Sequence, residues 1–308
     1  MIVSAGLTPA WQQVLVFDEF RHGEVNRARE AHWCASGKVF NAGIATHLLG
    51  GPSLTLATVG GDPRRAIERE LERLGVPFRW VVTQCATRVC TTIIDRGAGQ
   101  ITELVENGRP VTPEELAAFL ESYECEVRAA EVAIVIGSLP AGTPASYYRD
   151  LLVRTPCPAV LDFRGDGLLS VLDLRPLVVK PNREELGQTV GRSLDNDGQL
   201  LEAMTELNRR GAQWVVVTQG SGPLWLTGQG KAWKVHPVPV ADVVNPIGCG
   251  DVLAASLAWA HRQGMTMLEG ARLGVAAAAA NLKNLLPGRF DPTGIHQDAQ
   301  RVQIEEVA

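Results

Sequence analysis

Short runs rich in β-branched residues alternate with helical patterns along most of this 308-residue chain, and no other feature narrows the possible folds as far. Leu54–Val59, Val132–Gly137, Pro158–Phe163, Leu177–Lys180 and Trp214–Thr218 read as strands covered on both faces. Between them, Arg64–Leu74 has helical spacing. Thr112-Pro113-Glu114-Glu115 joins an N-cap to a first-position Pro and a capping-box Glu. Gly75 and Gly211 stop helices ending at Leu74 and Arg210. The expected architecture is α/β, with helices on both faces of a mainly parallel central sheet.

Two stretches break the rhythm, Trp11 to about Ser36 and Val81 to about Glu106. Both show strand-like alternation interrupted by polar turns such as Arg96-Gly97-Ala98-Gly99. They are expected to pair as a small accessory sheet, a lid over the carboxyl edge of the main sheet, where ligands of open α/β folds sit. No Pro/Ser-rich linker, charge block or fixed-period repeat divides the chain, so residues 1–308 read as one domain.

With 29 Lys+Arg against 34 Asp+Glu the formal net charge is −5, which argues against nucleic acid or an anionic membrane as the main partner. Any phosphate site must therefore be local. Apolar stretches such as Val252–Ala260 and Val275–Ala280 are shorter than the run of about 18 residues that spans a bilayer. The opening MIVSAGLTPAWQQ has no signal-peptide pattern, so a cytoplasmic location is expected. Cys34, Cys85, Cys90, Cys125, Cys157 and Cys249 form no C-x-x-C pair and read as reduced, mostly buried thiols.

The most informative segment is Val243–Ala258, in which Gly248-Cys249-Gly250-Asp251 opens a long, Ala-rich helix. Backbone N–H groups at such a start, reinforced by the helix dipole, form an anion site. Asp251 is either a plain N-terminal carboxylate or a catalytic one. A second segment, Lys180-Pro181-Asn182-Arg183-Glu184-Glu185-Leu186, follows a buried strand at the ligand edge. Asn182 and Glu185 there either cap a helix or arrange water around a magnesium ion, which prefers hard oxygen ligands. The chain has no G-x-x-x-x-G-K-[ST], and Gly37-Lys38 and Gly230-Lys231 lack its spacing, which excludes a P-loop kinase.

Taken together, the motifs resemble the PfkB/ribokinase carbohydrate kinase family, in particular its 1-phosphofructokinase and tagatose-6-phosphate kinase branch. Leu7-Thr8-Pro9-Ala10 is similar to the branch's L-N-P-A, Gly23-Glu24-Val25-Asn26-Arg27 to its G-E-V-N-R, and Ser36-Gly37-Lys38-Val39-Phe40-Asn41 to its G-G-K-G-x-N. Gly50-Gly51, Thr87-Arg88, Gly137-Ser138-Leu139-Pro140, Lys180–Leu186, Thr218-Gln219-Gly220-Ser221-Gly222 and Gly248–Asp251 follow in the family's order.

The resemblance implies a ribokinase-like three-layer α/β/α fold and phosphoryl transfer from ATP, with Mg2+, to a hydroxyl of a phosphorylated ketohexose. Asp251 would be the general base, and Gly248, Cys249 and Gly250 with it would form the anion hole. Gln12, Gly37, Lys38, Asn41, Arg88 and Ser138 would bind the acceptor. Lys180, Asn182, Thr218, Gly220, Gly222 and Asn281 would serve the nucleotide, with Asn281 near its base, and Glu185 the metal. The partners would be a sugar or sugar phosphate and ATP, with a homodimer through the lid as the candidate assembly.

The sugar half departs from the pattern. Gln12 stands where the branch has Asp, and Thr8 where it has Asn. Ser36 and Val39 replace two glycines. Near the phosphates Pro246 replaces a Thr and Cys249 an Ala, a small change, and the nucleotide half otherwise keeps the pattern. Two alternatives therefore stand beside the phosphosugar kinase: a kinase of an unphosphorylated sugar or nucleoside, and a catalytically weak sugar- or nucleotide-binding sensor.

Overall fold

The structure, a computed structural model, describes residues 1–307. From the N-terminus its elements are β1 (Ile2–Gly6), β2 (Ala10–Phe17), β3 (Glu30–Ser36), α1 (Lys38–Leu48), β4 (Ser53–Gly60), α2 (Pro63–Leu74), β5 (Phe78–Thr83), β6 (Arg88–Asp95), β7 (Gln100–Val105), α3 (Pro113–Val127), β8 (Val132–Ile136), α4 (Tyr147–Leu152) and β9 (Ala159–Asp162). There follow α5 (Asp166–Leu169), β10 (Val178–Val179), α6 (Arg183–Val190), α7 (Asp197–Arg209), β11 (Trp214–Val217), β12 (Leu224–Gly228), β13 (Lys231–His236), α8 (Cys249–Arg262), α9 (Met267–Leu282), α10 (Ile295–Arg301) and β14 (Gln303–Val307).

Ten strands form the main sheet in the order β14-β13-β12-β11-β10-β9-β8-β1-β4-β5. From β11 to β5 neighbouring strands are parallel, and β12, β13 and β14 close one end as an antiparallel meander. Side-chain alternation along the strands sends residues to opposite faces. Val132, Ile134 and Ile136 join one core with α1, α2, α8 and α9, while Ala133 and Val135 join the other with α3, α4 and α7. The result is the expected three-layer α/β/α arrangement.

The helix punctuation is where the sequence places it. Thr112 and Glu115 form a reciprocal capping box at the start of α3. Gly75 ends α2 at φ 71°, a left-handed conformation that glycine adopts without steric cost.

The accessory sheet has four strands in the order β3-β2-β6-β7. One boundary is corrected: Phe78–Thr83 pairs in parallel with Thr55–Gly60 and belongs to the main sheet. The accessory part of the second stretch therefore begins at Arg88, not near Val81. As the edge strand of the main sheet β5 is half exposed, and it shows the same alternation as a lid strand. Val14, Val16 and Ile94 on the inward face of the accessory sheet pack with Leu285 and Leu286, just beyond α9. That contact seats the sheet over the carboxyl ends of β1 and its neighbours.

Candidate active site

The sheet delivers its polar residues to one edge. Thr8 follows β1, Ser138 follows β8, Asp162 ends β9, Lys180 follows β10 and Thr218 follows β11. Chain order reverses direction across β1 and β8, and a crevice opens outside the strand ends at such a point. There the Thr8 hydroxyl donates to the Ser138 carbonyl at 3.0 Å.

Two helix N-termini meet at this crevice. The starts of α1 at Gly37 and of α8 at Gly248 both lack a side-chain cap; in α8 Cys249 N donates to the Pro246 carbonyl at 3.3 Å, and the other first-turn N–H groups remain available to an anion. Gly248 has φ 85°, and a Cβ there would lie 2.9 Å from the Gly288 nitrogen and 3.0 Å from Pro287 Cβ. Both conformation and space require glycine. The two helices pack together and are joined by a hydrogen bond from Asn41 Nδ2 to Asp251 Oδ2 at 2.8 Å. Ser36 Oγ donates in turn to Asn41 Oδ1 at 3.2 Å.

Asp251 is only 6% exposed. Burial, and then the negative charge of Asp162, push its carboxyl up to about 7, against the opposing pull of Lys38, Asn41 and Lys180. A buried carboxylate poised near neutrality suits proton abstraction from a hydroxyl.

Around it lies a cluster of alternating charge. Lys38 Nζ donates to Asp162 Oδ1 at 2.8 Å and to Glu185 Oε1 at 3.4 Å. The Lys180 ammonium lies 3.0 Å from Asp162 Oδ2. Burial would raise the Asp162 carboxyl, but the two ammonium groups outweigh it and hold the group below its ordinary value. Burial would likewise lower Lys38, and the surrounding carboxylates Asp162, Glu185 and Asp251 raise it instead. Lys38 is therefore a fixed cation beside the start of α8, and the Lys180 side chain shares its carboxylate partner Asp162. Lys180 Nζ comes within 3.3 Å of the point a Gly250 Cβ would occupy.

Asp162 went unassigned in the sequence because it closes a strand whose apolar run hides it. Its position at a strand's carboxyl end was the available signal.

Asn182 and Glu185 form a full capping box on α6, with Glu185 N donating to Asn182 Oδ1 at 2.7 Å and Asn182 N to Glu185 Oε2 at 2.9 Å. The second Glu185 oxygen still faces Lys38, with Arg164 Nη1 at 4.0 Å. Capping and site placement coincide here. Asn281 is turned wholly inward: Nδ2 donates to the Ile247 carbonyl at 3.0 Å and to Cys249 Sγ at 3.3 Å, and Oδ1 accepts from Gly288 N at 2.8 Å. It braces the Gly248 turn, and its amide is engaged there. Burial pushes the Cys249 thiol up to about 11, which leaves it unreactive at neutral pH.

On the accessory sheet, Gln12 is buried and donates from Nε2 to Thr92 Oγ1 at 2.5 Å. Thr92 is paired across the sheet with Glu103. Glu103 is itself exposed; partial desolvation by its neighbours raises its carboxyl, while a hydrogen bond from Gln12 and the Arg88 charge oppose the rise. Sequence reading missed Glu103, whose strand carries no apolar pattern to fix which face it takes. Arg88 donates to the carbonyls of Thr8 (3.1 Å), Pro9 (3.3 Å) and Glu106 (2.9 Å), pinning the mouth of the crevice.

Thr218 lies where the bridge to Asn182 extends the sheet. Gly220, at φ 62°, and Gly222 form the turn after it. A cavity of about 420 Å³ opens between the Val238–Val244 loop and α9, lined among others by Val240, Val244, Val275 and Ala279. The charged side chains of Asp242, Lys283, Asp298 and Arg301 complete its lining, beside the segment that leads into the Gly248 turn.

Uncapped helix N-termini, a buried carboxylate and two lysines at the switch point of a three-layer α/β sheet are an arrangement suited to phosphoryl transfer to an alcohol. Residues 1–293 match the pfkB family of carbohydrate kinases, and the chain belongs to that family. Among solved structures it resembles a "possible 1-phosphofructokinase" of Thermotoga maritima at TM-score 0.89 and 22% identity, with 100% of both chains covered. Phosphofructokinase-2 of Escherichia coli superposes at TM-score 0.86 and 23% identity over 98% of each chain. A ribokinase of Arabidopsis thaliana, solved with ribose and ATP, superposes at 0.74 and 21% identity over 97% of this chain and 98% of that one. The protein is thus a phosphotransferase with an alcohol group as acceptor, of the ribokinase-like fold, using ATP as its family does.

Proposed function

We propose that the chain transfers the γ-phosphoryl group of MgATP to a hydroxyl of a phosphorylated ketohexose, of the fructose 1-phosphate or tagatose 6-phosphate type. The observation that carries the reading is Asp251: buried, poised near neutrality, and set in the first turn of a helix whose glycine entry leaves its N–H groups open.

The acceptor hydroxyl gives its proton to Asp251, whose orientation Asn41 fixes. The moving phosphoryl group is stabilised by the amides of Gly248–Asp251 and by Lys38 and Lys180. Gly37, Asn41, Ser138 and Gln12 surround the acceptor, and Arg88 at the mouth offers charge for its phosphate. Thr218, Gly220 and Gly222 border the nucleotide.

Among the described residues no group of three His, Cys, Asp or Glu side chains could hold a metal ion. Glu185 is a carboxylate with one oxygen directed at the charge cluster, and magnesium binds through one or two carboxylates and substrate phosphates while keeping several waters. Glu185 and Asn182 would hold it through water, and when bound it neutralises phosphate charge.

A kinase of an unphosphorylated acceptor is the second reading, favoured by two observations. Lys38 is already engaged by two carboxylates, and Glu103 places a further carboxylate beside Gln12. Coupled ADP release across fructose 1-phosphate, fructose 6-phosphate, tagatose 6-phosphate, free hexoses and nucleosides decides between them. No turnover of any acceptor would leave the sensor reading.

The outer face of the accessory sheet supports a homodimer. Trp11 and Trp33 stack there at 5.8 Å, and Trp33 and Leu104 remain 44% and 54% exposed. Sedimentation velocity of wild type and Trp33→Glu tests it. A cytoplasmic location, with its ATP and its reducing environment, accords with six free cysteines.

A further inference from the structure

The buried pair of Glu70 and Arg289 belongs to none of the groups placed around the reaction. Glu70, on α2, and Arg289, in the segment after α9, have side chains 7% and 13% exposed and meet at 2.6 Å. A buried ion pair needs further hydrogen bonds to offset its desolvation, and the partners chosen here are specific. Glu70 Oε2 accepts from Ala35 N at 2.5 Å, and Arg289 Nη2 donates to the Ala35 carbonyl at 3.0 Å. Together the two side chains take both backbone groups of one residue near the end of β3, as a neighbouring strand would. β3 is an edge of the accessory sheet, and an edge has backbone groups to satisfy.

The other arm of Arg289 reaches the opposite way. Nη1 donates to the Pro287 carbonyl at 2.6 Å. The next residue, Gly288, donates its N–H to Asn281 Oδ1, and Asn281 Nδ2 holds Ile247 and Cys249 in the anion-hole turn. Gly288 also lies against α1, where a Cβ would be 2.7 Å from Asn41 Cα. One guanidinium thus ties the root of the lid to the segment that backs both the anion hole and the residue orienting Asp251. A second link starts one residue on, where Ser36 bonds Asn41.

We infer that Arg289, held by Glu70, is a positioning residue for phosphoryl transfer: it fixes the anion-hole turn relative to the lid root, so that a lid seated on the acceptor and a formed anion hole are one arrangement. This rests on the kinase reading for its effect on turnover, but not for its effect on the turn. The planar fork is essential, because its two nitrogens serve carbonyls on different segments. Lysine keeps the charge for Glu70 but cannot reproduce that geometry.

The test uses the full-length protein with Arg289→Lys, and with Glu70→Gln as a near-isosteric second variant should the first fail to fold. In the folded variant kcat is expected to fall about tenfold or more, with the KM values for ATP and acceptor within about twofold of wild type, as displacement of reacting groups without loss of binding predicts. Hydrogen exchange, read without any substrate, is expected to speed up in peptides containing Ile247, Cys249 and Gly288. A general loss of stability would instead speed exchange throughout the chain and leave kcat of the folded fraction unchanged. That result, or unchanged exchange in these peptides, overturns the inference. Should wild type turn over no acceptor, the kinase reading fails while the exchange comparison still decides the positioning role.

Discussion

Asn41, in the first turn of α1, donates to Asp251, in the first turn of α8, across 210 positions of sequence. The bond occupies Oδ2 and leaves Oδ1 to receive a proton, and it locks together the two helix starts whose free N–H groups face the crevice. In the proposed mechanism, base and anion hole are thereby built as one unit. Such preorganisation is what phosphoryl transfer requires, since the protein contributes positioning and electrostatics more than covalent chemistry.

Asp251→Asn is expected to lower kcat by about a hundredfold or more with ATP binding preserved, the usual range for removal of a general base. It should also stabilise the protein. With a folded pKa of about 7 against an ordinary 3.8, the folded state keeps a proton that the unfolded chain has released across that window. Stability therefore falls as pH rises from about 4 to 7 and stays low above it. Thermal melts at pH 8 should show a higher Tm for the variant, with a smaller pH dependence below 7. Near-full activity would return Asp251 to the role of a helix-terminal carboxylate.

Asp162→Asn is expected to shift the pH profile. The base works deprotonated, so kcat/KM of wild type should rise to a plateau through a pH near 7. The Asp162 charge is one cause of that high value, and removing it also releases Lys38 and Lys180 from their shared carboxylate. Both effects favour ionised Asp251. The acidic limb should move to lower pH while maximal turnover falls. A limb that stays in place would mean that burial alone sets the Asp251 value.

These two aspartates also show what sequence could and could not reveal. The place of Asp251 in the first turn of a helix was legible because glycines lead into an Ala-rich run; its proposed role as base came from the family resemblance, not from local pattern. The buried strands and the capping boxes were legible for similar local reasons. Asp162 was not, because a strand-end carboxylate carries no local pattern and acquires its meaning only when β9 and β10 lie side by side. Asn281 shows the opposite case. Its place on α9 near the site was foreseeable, but a tertiary contact with Gly288 decides that its amide faces inward. The β12–β14 meander went unforeseen because β14 comes some 67 residues after β13 in the chain and pairs with it only in three dimensions.

Glu185→Gln separates capping from metal binding in a single substitution. Glutamine serves the reciprocal cap as glutamate does, so the bond from Asn182 N and the Tm should be retained. What is lost is the charge facing Lys38 and available to metal-bound water. A magnesium titration of turnover should shift to higher concentration, with activity partly recovered at saturation. An unchanged magnesium curve with a lowered Tm would assign Glu185 to the cap alone.

Arg88 and Glu103 bear opposite charges at the proposed acceptor end, and their variants should report which acceptor the site prefers. Arg88 commits three of its five N–H groups to carbonyls, leaving two and a full charge for a phosphate. Binding energy from a remote phosphate is used to position the reacting hydroxyl, so its loss lowers kcat/KM rather than affinity alone. For a phosphosugar kinase, Arg88→Lys should cost about tenfold or more in kcat/KM with the phosphosugar and much less with the free sugar. Glu103→Gln, which removes a negative charge beside Gln12, should improve the phosphosugar relative to the free sugar. Measuring kcat/KM for both acceptors in wild type and both variants gives the answer. Equal losses for the two acceptors in Arg88→Lys would show that Arg88 only holds the loop at Thr8 and Pro9. A preference for the free sugar in wild type, lost in Glu103→Gln, would establish the unphosphorylated acceptor as the substrate class.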